Sequence, residues 1–109
     1  MSVNSQLLKG TLEGCILKIL EQDETYGYEI VEKLRQYGFT DISEGTVYPL
    51  LLRLHNSGLL SANAKSSPYG PKRKYYTLTI SGQIQLQTFV QEWEHLNAIV
   101  SQVLSNKEV

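Results

Sequence analysis

Residues 43–60 read SEGTVYPLLLRLHNSGLL, and they carry the clearest structural pattern in the chain. The aliphatic residues of this stretch recur at intervals of three and four, which is typical of one buried face of a helix. The residues of that face are Val47, Leu50, Leu51 and Leu54. Ser43 is a suitable N-cap because its hydroxyl can accept a backbone N–H, and Gly58 can adopt the left-handed conformation that ends a helix. A helix is therefore predicted over residues 43–57.

Pro49 lies well inside this predicted helix. Proline has no backbone N–H, and in a helix interior it costs about 3 kcal/mol. Two interpretations stay open: either the helix begins later than Ser43, or the backbone bends near Gly45. Residues that break a local rule in this way are enriched at functional sites.

Two further helices are predicted before Ser43. Residues 6–21 carry apolar side chains at the spacing of an amphipathic helix. Residues 26–37 form a second such pattern, with Thr25 as the expected N-cap and Gly38 as the expected C-terminal cap. Three helices joined by short turns indicate a compact trihelical unit.

The pattern changes from helix to strand after this unit. Residues 59–65 and 73–78 favour β-structure, and the segment 66–71 between them is rich in turn-forming residues. A last helix is predicted from residue 80 onwards, capped by Thr79 or Ser81.

The order of the predicted elements is helix, helix, helix, strand, strand, helix. This is the order of a winged helix-turn-helix domain with one long helix added, so the expected fold class is mainly α with a small β-hairpin. Residues 1–79 are expected to form the DNA-binding domain. Residues 80–109, helical to residue 105, are expected to form a C-terminal dimerisation helix, and the two parts make one continuous globular unit.

Charge is distributed unevenly along the chain, although the formal net charge is only −1. No Asp or Glu occurs from Gly45 to Gln91. The cations of this acid-free stretch are Arg53, Lys65, Lys72, Arg73 and Lys74. Local clustering of charge matters more than the total for a surface that binds phosphate. The pattern therefore favours double-stranded DNA as a partner.

The candidate DNA contacts lie at the start of the helix 43–57 and on the hairpin. In a helix-turn-helix domain, the N-terminal residues of the second helix of the motif approach the bases in the major groove. Those residues here are Ser43, Gly45, Thr46, Tyr48 and Pro49, followed by Arg53 for the DNA backbone. The hairpin, or wing, adds Lys65, Lys72, Arg73 and Lys74. Because side chains alternate along a strand, not all of these cations can meet one phosphate strand.

Several short motifs stand in a fixed order along the chain. They are YGYEI at 26–30, EGTVYPLL at 44–51, RL at 53–54, GLL at 58–60 and GPKRKYYTLT at 70–79, followed by Gly82. In this order and spacing they resemble the PadR family of bacterial transcriptional regulators. The resemblance extends from about Leu8 to Leu104. The single C-terminal helix is similar to that of the short-tailed PadR subgroup.

The resemblance implies a homodimeric repressor that binds a pseudo-palindromic operator and is released by a small aromatic or drug-like ligand. It also implies DNA contacts from Tyr28, Thr46 and Tyr48, and from the wing residues 72–74. His55 departs from the family pattern, which often has an acidic or amide residue there. The wing also has fewer arginines than in many members, so the operator sequence is left open.

The last predicted helix carries a long apolar row. Its members are spaced three and four residues apart, as in the seam of a coiled coil. They are Leu86, Phe89, Trp93, Leu96, Val100 and Val103. A small trihelical body cannot cover so long a row, so these residues are the expected dimerisation face and a second copy of the chain is the expected partner.

Trp93, the only tryptophan, and Phe89 have two interpretations. Large aromatic residues are common both in subunit interfaces and in ligand pockets. In one short-tailed PadR subgroup a tryptophan in this helix stacks planar compounds between subunits. The resemblance therefore implies a ligand-binding role for Trp93 and Phe89, while packing without a ligand stays open.

Other classes of protein have little support in the sequence. Cys15 is the only cysteine, so neither an intrachain disulfide nor a multi-cysteine metal site is expected. No phosphate-binding glycine loop or nucleophile–histidine pair indicates an enzyme, and no cofactor is expected. No apolar run is long enough to span a membrane, so a cytoplasmic location is expected. Two alternatives stay open: a winged-helix module that binds protein, and RNA binding.

Overall fold

The computed structural model of the chain describes residues 3–67 and 70–105. Within these residues the helices are α1 (Ser5–Leu8), α2 (Leu12–Gln22), α3 (Gly27–Tyr37), α4 (Glu44–Asn56) and α5 (Ile80–Ser105). The strands are β1 (Thr25–Tyr26), β2 (Leu60–Ser67) and β3 (Gly70–Leu78). The predicted fold class, mainly α with a small β-hairpin, is confirmed.

The single helix predicted over residues 6–21 is wrong, because the structure divides it into α1 and α2. Gly10 has a φ of 89°, a left-handed conformation that glycine adopts without steric cost. The Thr11 hydroxyl donates to the Leu8 carbonyl oxygen at 2.9 Å and satisfies the end of α1. The helical pattern therefore stops after Leu8 and restarts at Leu12.

The two residues before α3 form the short strand β1, and Thr25 is not the helix cap. Tyr26 occupies the N-cap position of α3, so the prediction of Thr25 as the cap is wrong. The Thr25 side chain is buried, and its hydroxyl donates to the Asp23 carbonyl oxygen at 2.8 Å. The prediction of Gly38 as the C-terminal cap is confirmed, since it has a φ of 126° and donates its N–H to the Arg35 carbonyl oxygen at 3.0 Å.

The recognition of α4 from its sequence pattern is confirmed. The helix begins directly after Ser43 and contains Pro49 in its interior, so the interpretation in which it begins later is wrong. Proline cannot donate to the carbonyl four residues earlier, which belongs to Gly45. Gly45 itself is an exposed residue in the first turn of α4. Gly58 follows the helix with a φ of 80°, as a C-terminal cap requires.

The sheet is antiparallel, with the strand order β1–β3–β2. β2 and β3 form the predicted hairpin, but they are longer than predicted. Residues 66–67 and 70–71 of the expected turn lie in strands, and Pro68 and Tyr69 lie outside the described residues. β1 adds a third strand that no sequence pattern indicated.

The hydrophobic core lies between α2, α3 and α4, and side chains from β2 and α5 complete it. The buried aliphatic residues of this core are Leu12, Ile16, Leu17, Ile19, Leu20, Ile30, Val31, Leu34, Ile42, Val47, Leu51, Leu54, Leu60 and Leu86. Leu86 is only 2% exposed within the single chain. Its assignment to the dimerisation face is therefore wrong, because the first turns of α5 pack on the body of the same chain.

The long helix α5 begins on the hairpin and extends beyond the helical body. Thr79 caps it, because its hydroxyl oxygen accepts the Gly82 N–H at 3.0 Å and the hydroxyl donates to the Gly58 carbonyl oxygen at 2.7 Å. Every residue from 90 to 105 is exposed. A helix of 26 residues is about 39 Å long, so its C-terminal half has little of its own chain to pack against.

Candidate nucleic-acid interface

The N-terminal end of α4 presents a cluster of accessible residues, which we call the reading end. Its exposed residues are Ser43, Glu44, Gly45, Thr46, Tyr48 and Pro49. Val47 lies among them but is completely buried, and it anchors this end of the helix on the core. The five residues that the sequence predicts for base reading are thus accessible together at one end of one helix.

Tyr48 is positioned by the close approach of α3. A Cβ atom added to Gly27 would lie 2.5 Å from Cε1 of the Tyr48 ring, so glycine at this position leaves the space that the ring occupies. Burial raises the pKa of the Tyr48 hydroxyl, and the nearby Glu44 carboxylate raises it further. The hydroxyl therefore stays protonated near neutral pH and can donate a hydrogen bond to a phosphate oxygen.

A hollow of about 350 Å³ lies between α3, the reading end and the wing. It brings together four residues that the sequence predicts as DNA contacts: Tyr28, Tyr48, Arg73 and Lys74. Tyr28 and Tyr48 are each about half exposed. The hollow thus combines phenol hydroxyls with positive charge, the chemistry that binds a phosphate backbone.

One face of the sheet alternates aromatic rings with cations. The Arg73 guanidinium carbon lies 4.5 Å from the centroid of the Tyr26 ring, and the Lys65 Nζ lies 5.0 Å from that of Tyr75. Tyr26 and Tyr75 are paired across β1 and β3, with ring centroids 5.4 Å apart. Because ring faces attract cations, this packing holds Arg73 and Lys65 on the wing surface.

Lys74 lies on the opposite side of β3 from Arg73. Side chains alternate between the two faces of a strand, so Lys74 shares the side of Tyr76, two residues further along. The pairing of β3 with β2 is irregular between Gly70 and Arg73, before this regular part of the strand. Tyr76 is paired with the buried Thr25, so this side faces the helical body. Lys74 also lines the hollow beside Tyr48. The wing cations are therefore divided between two faces, as strand alternation predicts.

Two predicted DNA contacts already have partners within the chain. Arg53 forms an ion pair with Glu13 of α2, and Lys65 forms one with Glu24 in the connection before β1. Arg53 also lies outside the hollow that holds Tyr28 and Tyr48. Sequence reasoning missed Glu13 and Glu24, because residues about forty positions apart show no periodic relation.

A second, apolar hollow of about 600 Å³ lies between α1, α2 and α5. Phe89 and Trp93 form one wall of it, and Gly14 and Cys15 lie on the opposite helix. A Cβ atom on Gly14 would overlap the Phe89 ring, so the glycine permits close packing of α2 on α5. Burial raises the pKa of the Cys15 thiol, which therefore stays protonated and behaves as a small apolar group.

The apolar row on α5 is accessible beyond this hollow. Its exposed fractions are 45% for Trp93, 51% for Leu96, 44% for Val100 and 66% for Val103. Four large apolar side chains at intervals of three and four form one continuous stripe on the helix. Such a stripe is typical of an interaction surface.

Residues 3–67 and 70–105 also bear on metal binding and on membrane insertion. No group of three or more His, Cys, Asp or Glu side chains is arranged there to hold a metal ion. Within the same ranges, no helix is long and apolar enough to cross a membrane.

Comparison with known proteins decides the family. Residues 16–88, about two thirds of the chain, match the family model described as "Transcriptional regulator PadR-like family". The chain belongs to the PadR family. Its members are transcriptional regulators, so this protein is a regulator and not an enzyme.

Solved structures of PadR proteins support the same assignment. A PadR-like transcriptional regulator from Bacillus cereus is 49% identical, with a TM-score of 0.84 over 94% of this chain and 99% of that chain. Bacillus subtilis PadR, solved in complex with operator DNA, is 26% identical with a TM-score of 0.67, over 74% of this chain and 47% of that chain. An uncharacterised protein of Lysinibacillus sphaericus is 31% identical over 97% of this chain and 99% of its own length.

Proposed function

We propose that this PadR-family protein is a ligand-responsive repressor that binds a pseudo-palindromic operator as a homodimer. One observation carries the proposal: the accessible reading end of α4 lies beside a wing that presents Arg73 and Lys74 around the hollow of Tyr28 and Tyr48. A helix end and a cationic wing side by side can enter a major groove and contact its flanking backbone together.

The reading end supplies the sequence-dependent contacts in this proposal. Thr46 and Tyr48 are exposed on the first turns of α4, and both carry hydroxyls that can bond base edges or phosphates. Gly45 has no side chain, and only the Ser43 hydroxyl lies within 4 Å of where its Cβ would be. Since the chain itself does not require glycine there for space, the close approach of DNA is the expected reason for it.

The apolar row of α5 supports the dimer. Its stripe of four large side chains is exposed in the single chain, and a second copy with the same stripe would bury it. A twofold dimer presents two reading ends, which fit half-sites about 34 Å apart, one turn of DNA. The relative from Bacillus subtilis, solved in complex with operator DNA, supports DNA as the partner.

The experiment that tests this function is a selection of random duplex DNA on the purified protein at two salt concentrations. We expect enrichment of an inverted repeat whose half-sites are centred about 10 base pairs apart. Retention of salt-labile DNA without any common sequence would contradict operator binding. Stronger retention of a competing duplex RNA would favour the RNA-binding alternative.

Arg73→Ala should weaken binding to every duplex by a similar factor, because the side chain is expected to contact phosphate. Loss of one phosphate contact per protomer should reduce the slope of log K against log salt by about 0.9, or about 1.8 per dimer. The measurement is fluorescence anisotropy of a labelled duplex over a salt series. Arg73→Lys, which keeps the charge, is the control and should retain the slope. Unchanged affinity of Arg73→Ala would remove the wing from the interface.

Trp93→Leu should abolish release of DNA by a planar aromatic effector while the protein stays dimeric. Phe89 and Trp93 line the apolar hollow, and leucine keeps apolar contact but removes the indole surface on which a planar ring stacks. Phenazine is a suitable probe. Trp93 is the only tryptophan, so its fluorescence in the wild type reports binding directly. Trp93→Phe is the control that should retain part of the response. Normal release from the Trp93→Leu dimer would contradict the role of Trp93 in ligand binding.

A further inference from the structure

We infer that Glu13 and Glu24 are built-in competitors of DNA: by holding Arg53 and Lys65, they limit how many cations of the interface reach phosphate. The inference rests on the proposed DNA binding and adds a control of its strength. It concerns affinity that does not depend on sequence, because phosphate contacts carry no base information.

The ion pairs Arg53–Glu13 and Lys65–Glu24 have the same arrangement. Each joins a cation of the acid-free stretch 45–91 to a carboxylate from the acidic N-terminal part of the chain. The carboxylates are the less accessible partners, with side chains 28% exposed for Glu13 and 30% for Glu24. The cations are more accessible, at 66% for Arg53 and 46% for Lys65. The acid is therefore anchored, whereas the cation can turn towards another anion.

The remaining wing cations are not held in this way. Among the described residues, no carboxylate oxygen lies within 4.0 Å of the charged nitrogens of Lys72, Arg73 or Lys74. Arg73 packs on the Tyr26 ring, which leaves its charge uncompensated. Within residues 3–67 and 70–105, the interface thus presents three cations without a carboxylate partner and two with one.

A compensated cation contributes less to DNA binding for two reasons. Its ion pair must open before it can contact phosphate, and the carboxylate left behind then lies near the negative backbone and repels it. Lys65 also stands directly opposite Arg73 in the sheet, where two like charges disfavour pairing of the strands. In the protein without DNA, the Glu24 carboxylate offsets this repulsion and so stabilises Lys65 in its ion-paired position.

The test measures affinity for a random-sequence duplex between about 50 and 200 mM salt. Glu24→Gln should bind about tenfold more tightly at the lower salt, because two more cations per dimer become available. Its salt slope should be steeper by about 1.8, so the gain should be nearly lost at the higher salt. Glu13→Gln should act in the same direction through Arg53 and serves as the second variant if Glu24→Gln folds poorly.

Two matched variants separate this effect from a general change of charge. Glu21→Gln makes the same charge change and breaks the Lys18–Glu21 ion pair of α2, but Lys18 is not a predicted DNA contact. Its affinity should change less than about twofold, since distant surface charges are screened. In the double variant Glu24→Gln/Lys65→Gln the pair is removed as a neutral unit, so affinity and slope should return close to wild type.

The outcomes distinguish the inference from the proposed function. If the wild type binds duplex DNA but Glu24→Gln and Glu13→Gln behave like Glu21→Gln, the inference is overturned and the function stands. A gain that persists in the double variant also overturns it, because the gain then does not come from Lys65. If the wild type binds no duplex at any salt, the proposed function fails and the inference fails with it.

Discussion

Leu96→Asp should dissociate the proposed dimer into monomers and weaken operator binding at least about a hundredfold. Leu96 lies within the exposed apolar row of α5 and is 51% exposed in the single chain. Burial of a leucine contributes about 1.5–3 kcal/mol, and an aspartate at the proposed twofold interface would lie near the same charge of the other subunit. Two such losses per dimer raise the dimer Kd by about a hundredfold or more. Sedimentation velocity measures the association, and anisotropy measures operator affinity.

The matched control for Leu96→Asp is Ala98→Asp on the same helix. Ala98 is also exposed, and it lies two residues further on, about 200° around the helix axis from Leu96. It therefore receives the same new charge on the face opposite the apolar row. Ala98→Asp should remain dimeric and should bind the operator like the wild type. A dimeric Leu96→Asp protein would show that another surface joins the subunits.

The elements that the sequence predicted well are those with a strong period and a clear cap. α5 was expected over residues 80–105 and occupies the same range, since its apolar row is long and Thr79 caps it. The predicted helix over residues 6–21 failed at Gly10, because a helical pattern tolerates one glycine and does not reveal its positive φ. β1 has only two residues, so it carries no period and forms only through pairing with β3.

Part of the candidate site was also predictable from local sequence patterns. The reading end of α4 and the wing cations followed from residue type and position in the motif. Their partners did not: the ion pair of Glu24 with Lys65 and the packing of Tyr48 over Gly27 depend on tertiary contacts between separate elements. Leu86 was wrongly assigned to the dimerisation face. An apolar row on a helix does not indicate which of its residues pack on the core of the same chain.

Gly82→Ala should lower stability by about 2–4 kcal/mol, one of the largest effects expected for a single methyl group in this chain. Gly82 is buried in the first turn of α5. A Cβ atom there would overlap the Leu59 carbonyl oxygen and would lie 3.3 Å from Cδ2 of Leu78. The Leu59 backbone cannot rotate away as a side chain can, so α5 and the hairpin must move apart to make room for the methyl group. At a fixed protein concentration we expect the Tm to fall by roughly 10 °C or more.

Gly45→Ala is the control for this effect, because it makes the same chemical change in another helix. Only the Ser43 hydroxyl oxygen, at 3.6 Å, lies near the added Cβ, so there is no steric cost. Alanine also favours a helix over glycine, and the variant should gain about 0.5–1 kcal/mol. If Gly82→Ala were as stable as the wild type, the close contact between α5 and the Leu59 backbone would be contradicted.

The contact at Gly82 also connects α5, the proposed dimerisation helix, to the reading end and the wing. Thr79 donates its backbone N–H to the Leu59 carbonyl oxygen at 3.1 Å, and its hydroxyl bonds the Gly58 carbonyl oxygen at the end of α4. In the proposed dimer, a shift of the first turn of α5 would therefore move the twofold axis relative to the reading end. Because half-site spacing must match one turn of DNA, Gly82→Ala should weaken operator binding even where the protein is fully folded. Its affinity for a single half-site should change much less, since one reading end and one wing are sufficient there.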